Sequence, residues 1–181
     1  STLRSLFTQY LGNQATSEQI MVTETNSVSY NTGKQTVSLV NALFLAENDL
    51  TWLENGVTNV DWWDVHNSAS GGNNNSSSLY GTAQYGDYGL LSNGSCASAG
   101  NCEPAAETPF PAYYALQMVS KVIDQGGQIV ATSSSQGLIK AFTVKRRDGS
   151  VAILLINTDP STTYNVALSG LYHADNATIY T

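Results

Sequence analysis

The sequence predicts an α/β segment followed by an all-β segment. Three observations carry that reading: a strand, helix, strand pattern over residues 20–67, a helix entered through prolines 109 and 111, and a fall of the apolar period to two after Gly126-Gly127. Taken in order, TLRSLFTQYL spaces Leu3, Leu6, Phe7, Tyr10 and Leu11 at helical intervals, and Gly12-Asn13 stops the run. IMVTETN reads as a buried strand. After Asn31-Thr32-Gly33 a long helical pattern over residues 35–54 aligns Val37, Val40, Phe44, Leu50 and Leu53, with Gly56 at its end. GVTNVDWWDVHN is a second strand that ends in polar residues. Such a βαβ unit makes its two strands parallel neighbours.

From Asn67 to Glu107 the composition changes to Gly, Asn and Ser, a stretch longer than compact domains usually leave without structure. It fits either a surface insertion or an ordered loop, and its tyrosines and cysteines favour the second. SLYGTAQYGDYGLL within it has the alternation of a hairpin. Pro109 and Pro111 then open the helix FPAYYALQMVSKVIDQGG. Beyond it, QIVATSSS, LIKAFTVKRR, SVAILLINTD, TYNVALSG and ATIYT are five strand-like runs, with Asp148-Gly149 as a hairpin turn. VAILLI, apolar on both faces, is expected in the centre of a covered sheet.

Composition limits the partners. The chain has 181 residues, 41% of them hydrophobic, and a net charge of -7, so it lacks the basic surface that binding nucleic acid requires. No apolar run approaches the ~20 residues that span a bilayer, and no membrane partner is expected. Cys96 and Cys102, with five residues between them and no His or further Cys nearby, suit a local disulfide rather than zinc. A disulfide indicates an oxidising compartment, so a secreted protein is expected. Asn74, Asn75, Asn93 and Asn176 begin N-x-[ST] sequons, at the frequency that this composition produces.

In parallel βα architectures, functional groups gather at the C-terminal ends of the strands. Thr23, Glu24 and Asn26 end the first strand; Trp62, Trp63, Asp64, His66 and Asn67 end the second. A carboxylate, two indoles and amides suit a sugar ring, whose C–H face stacks on tryptophan while polar groups address its hydroxyls.

TETNS before a long helix, then VDWWDVHN, then a helix entered through PFPAYYALQ and a β segment, resembles the C-terminal part of a clan A retaining glycoside hydrolase. It is similar to the arabinofuranosidase, β-glucuronidase and heparanase-like branches, which join a (β/α)8 TIM barrel to an antiparallel β-sandwich. The resemblance implies that residues 1–126 are strands seven and eight of the barrel with their helices, carrying the long loop 67–108, and that residues 127–181 are the sandwich. It makes Glu24 the catalytic nucleophile, Trp62 or Trp63 a subsite wall, and Asn26, His66 and Asn67 candidate hydrogen-bonders to a carbohydrate substrate. No metal or cofactor is implied.

The sequence departs from that family in one respect. Retaining hydrolysis needs a second carboxylic acid about 5 to 5.5 Å from the nucleophile, and the family carries it in an Asn-Glu pair that is absent here. Glu18, Glu47, Glu54, Glu103 and Glu107 do not fit the role. An N-terminal barrel portion is therefore expected to supply the acid, as a second chain or a missing segment. Arabinofuranosidase is preferred over β-glucuronidase, because Lys34 and His66 are the only basic side chains near the expected cleft to meet a sugar carboxylate. Two other readings stand beside this one: a carbohydrate-binding module in which Glu24 does no chemistry, and a fragment whose β segment serves stability alone.

Overall fold

The computed structural model describes residues 2–171 and 176–181. Helix α1 (Thr2–Leu11) leads through a 3-10 turn to strand β1 (Met21–Thr25). Helix α2 (Leu39–Glu54) and strand β2 (Asn59–Trp62) follow, and β1 and β2 pair in parallel. The expected βαβ unit is therefore present. α2 begins later than its apolar pattern suggests, because Thr36 and Ser38 bond back to Gly33 O and Gln35 O and hold residues 33–38 in turns.

The predicted hairpin in 78–91 does not form. That stretch contains a one-turn helix, α3 (Ser77–Tyr80), and then makes isolated contacts with distant chain, such as the Ser70–Gly86 bridge. The reason lies at Gly86, where a side chain would overlap the backbone of Thr32 and Gly33. Close approach of backbone to backbone replaces self-pairing.

Helix α4 (Pro111–Val122) has proline in its first turn, as anticipated. Strands β3 (Gln128–Val130), β4 (Ile139–Lys145) and β5 (Val151–Asn157) form an antiparallel sheet in the order β3-β4-β5, with Gly149 at positive φ in the β4–β5 turn. Two expectations need correction here. β5, which contains VAILLI, is an edge strand, and Val151 and Leu155 are exposed while Leu154 and Ile156 are buried. Nor do TYNVALSG and ATIYT become strands among the described residues; Val166, Leu168, Ile179 and Tyr180 stay exposed. Strand propensity is realised only where a pleated face is covered, and these runs find no cover.

One apolar cluster holds the elements together. α2 contributes Leu45, Ala46 and Leu50, α4 contributes Ala112, Val119 and Val122, and the sheet contributes Phe142, Val144, Leu154 and Ile156. The buried positions on α2 recur as Ala42, Leu45, Ala46, Asp49 and Leu50, a helical stripe. Packing thus crosses residue 127, where α/β gives way to all-β. No helix among the described residues is long and apolar enough to cross a membrane.

Candidate active site at the ends of the parallel strands

Register decides which side chains share a face. Thr25 pairs with Trp62, and paired side chains point to the same side of a sheet. Trp62 is turned toward α2: its ring lies 6.2 Å from Phe44 at 53°, and it packs against the apolar cluster. Trp63 follows directly after β2, and Glu24 precedes Thr25 on β1. Both are exposed, Trp63 to 45%. The spacing from Val22 to Thr25 is three residues against two from Val60 to Trp62, so β1 carries a bulge at Thr23-Glu24. A bulge re-aims the side chain it contains. Of the indole pair, Trp63 is the exposed one, while Trp62 belongs to the layer between strand and helix.

Asn26 fixes the two strand ends to each other. Its Nδ2 donates to Trp63 O at 2.6 Å and Tyr88 O at 3.3 Å, and its Oδ1 accepts from Ser27 N at 2.7 Å and Asn41 Nδ2 at 3.4 Å. Both bonds that Asn26 donates thus run to main-chain carbonyls and tie the strand ends together. Trp63 N donates to Thr25 O at 2.9 Å, and the Trp63–Asp64 peptide bond is cis. Asp64 continues the tie, with its N–H donating to Tyr88 O and its C=O accepting from Leu90 N.

The remaining predicted residues are held by the long loop. His66 Nε2 meets the Glu107 carboxylate at 3.2 Å. Asn67 Nδ2 donates to Asp64 Oδ2 at 3.3 Å, and Asn67 accepts from Ser68 N and Asn93 Nδ2. Burial raises the Asp64 pKa above the ordinary aspartate range, opposed by the bond from Asn67 and the nearby His66. Within the loop, a disulfide joins Cys96 and Cys102. Surface grooves run along Phe44, Asn48 and Trp52 and beside Asp124 and Arg147, and neither is lined by Glu24 or Trp63.

Glu47 pairs with Lys140 at 3.3 Å, Glu107 with His66, and Glu103 is buried among donors from residues 92–95. Glu18 precedes β1 at its N-terminal end and Glu54 closes α2. Among the described residues no group of three or more His, Cys, Asp or Glu could hold a metal ion. Sequence reasoning missed the buried Asp87 and Glu103, because nothing in a Gly/Ser/Asn-rich stretch marks which carboxyls the fold encloses.

No protein-family model and no curated protein sequence matches the chain. Among solved structures it is similar to the endo-beta1,6-glucanase BT3312, with a TM-score of 0.51 and 21% identity over 85% of this chain. The match spans 31% of the length of that glucanase. At this identity the likeness is one of fold, and the chain accordingly has a mixed α/β, glycosidase-like fold.

Proposed function

We propose that the chain is the C-terminal portion of a retaining glycoside hydrolase acting on polysaccharide or oligosaccharide, in which β1 and β2 are the last two strands of a (β/α)8 barrel. One observation carries the reading. Glu24 and Trp63 are both exposed at the C-terminal ends of adjoining parallel strands, while Trp62 packs toward α2. Those strand ends are where such barrels do chemistry. Glu24 would attack the anomeric carbon as the glycosidic bond breaks, giving a glycosyl-enzyme that water then hydrolyses. The Trp63 indole would lie under the sugar ring.

The acid that protonates the leaving oxygen, and later activates water, comes on this reading from an N-terminal barrel portion. The other glutamates of this chain are engaged or at the wrong end, which supports that assignment. The antiparallel sheet would be one layer of a β-sandwich. The disulfide agrees with a secreted protein. For the substrate, an arabinofuranoside follows from the sequence resemblance and a β-1,6-glucan from the structural neighbour.

The test is covalent labelling. The chain, assembled with the barrel portion that carries the acid, is incubated with dinitrophenyl 2-deoxy-2-fluoro-glycosides of both sugars and its peptides are mapped by mass. A label on Glu24 with one sugar is expected, and Glu24→Gln should abolish it. Sugar binding with no label would sink the hydrolase and favour a carbohydrate-binding module, the reading that exposed Trp63 also serves.

A further inference from the structure

Two carboxyls are enclosed in the long loop. Asp87 is fully buried and Glu103 is 8% exposed, and their side chains meet. Glu103 is bonded as an anion: Oε2 accepts from Ser92 Oγ at 2.9 Å, Asn93 N at 3.0 Å and Gly94 N at 3.2 Å, and Oε1 accepts from Ser95 Oγ at 3.2 Å. Asp87 is different. Its Oδ1 accepts from Gly89 N, whereas Oδ2 is buried with no donor. Two ionised carboxylates cannot bond to each other, but a protonated Oδ2 can donate to Glu103.

We propose that Asp87 and Glu103 share one proton, held on Asp87, and that this clasp makes Asp87 a positioning residue for the strand ends that carry Glu24 and Trp63. The link is short. Asp87 N–H donates to Thr36 Oγ1 at the entry to α2, and Asp87 Oδ1 holds Gly89 N. Between them, Tyr88 O receives Asn26 Nδ2 and Asp64 N, and Leu90 N reaches Asp64 O. A carboxyl that ionised inside this turn would press the 87–90 segment away from Glu103, and with it the carbonyl on which Asn26 and Asp64 are hung.

The surroundings favour the proton. The charges acting on Asp87 are Glu103 and Asp64, both acidic, and the nearby phenol of Tyr85 feels both Asp87 and Glu103. Lys34, buried in the turn that supplies Thr36, forms no ion pair with either carboxyl among the described residues. Burial first, and then the bond to Glu103, push the Asp87 pKa up to about 7. Burial alone would raise Glu103 too, but the bonds from Asp87, Ser92, Asn93 and Ser95 hold it below the usual range. A raised pKa contributes stability that is complete below the unfolded value of 3.8 and is lost as pH rises to about 7. The lowered Glu103 contributes above 4.5 and loses that contribution in acid. The clasp is therefore tightest near pH 4 to 5.

Two measurements on the full chain test this. Carboxyl 13C shifts should show Asp87 titrating close to neutrality. Amide hydrogen exchange, corrected for intrinsic rates, should show protection of Gly89, Asn93 and Gly94 falling by up to about tenfold per pH unit between pH 5 and 7 and levelling above. Asp87→Asn, whose neutral amide also donates, should remove that slope. Asp87 titrating below pH 5, a flat wild-type profile, or the same slope in Asp87→Asn would each overturn the shared proton. The positioning role rests on the Glu24–Trp63 reading of the site and has its own readout, the Asp64 amide on Tyr88 O. If Gly89 responds to pH and Asp64 does not, positioning is refuted. Failure of Glu24 to label, with these exchange results intact, would refute the hydrolase and leave the clasp standing.

Discussion

Replacing Asn26 tests the tie between the two strand ends. Asn26→Ala deletes two donated bonds, to Trp63 O at 2.6 Å and Tyr88 O at 3.3 Å, and the bond accepted from Ser27 N at 2.7 Å. Tyr88 O keeps the Asp64 N–H, so the loss falls mainly on Trp63 O and Ser27 N. At about 1 kcal/mol net per bond, the cost is about 2 to 3 kcal/mol. For a chain of this size 1 kcal/mol moves Tm by roughly 2 to 4 °C, so the melt should fall by about 5 to 10 °C. Asn26→Asp is the sharper probe. It keeps the acceptor for Ser27 but turns a carboxylate oxygen toward two carbonyls, so it should melt below the alanine variant at pH 7. The gap should narrow at pH 4, where the carboxyl begins to regain a proton. Thermal unfolding followed by circular dichroism gives the order wild type, Ala, Asp. An aspartate variant that melts with the wild type would mean that the amide does not hold Trp63, and the positioning role would be wrong.

Three further expectations follow from packing and charge. Leu50 is fully buried between α2 and α4, so Leu50→Ala should cost about 2 to 5 kcal/mol in urea unfolding; a loss under 1 kcal/mol would contradict the assigned core. Asp49, buried on α2, has its pKa raised to about 6 by burial, against the bond from Asn48. A raised pKa destabilises as pH climbs through it, so Asp49→Asn should stabilise by up to about 3 kcal/mol at pH 8 and by almost nothing below pH 4; a pH-independent difference would exclude the titration. Replacing Cys96 and Cys102 together with Ser opens a small loop, at a cost of about 2 kcal/mol on the chain-entropy account. Calorimetry of the oxidised wild type against this variant measures it, and equal melts would show that the bridge constrains nothing.

Local signals carried the reading of regular structure a long way. Proline at the start of α4, the Asp148-Gly149 turn and the paired cysteines each state a local constraint, and each appears in the structure, whereas the face expected for α2 is buried only at Leu50, with Val40 and Phe44 exposed and Ala42, Leu45 and Ala46 turned to the core instead. What local signals could not carry was cover. TYNVALSG alternates like a strand, yet its apolar groups meet no facing layer, and β5 reads as central but lies at an edge. At the site, VDWWDVHN announced two adjacent indoles and left open which one faces outward. The contact of Trp62 with Phe44 makes that choice and leaves Trp63 exposed.

The sequence by itself therefore determined the main helices, the parallel βαβ unit and the loop disulfide, because helix period, turn chemistry and short chain connections act within a few tens of residues. Tertiary structure alone decided that Asn26 serves Trp63 and Tyr88, that Trp62 packs inward, and that Asp87 is enclosed with Glu103. The bonds of Asn26 reach 37 and 62 residues along the chain, and the other two turn on packing and burial. Hydrogen bonding and desolvation depend on what finally surrounds a group, and no pattern along the chain records that.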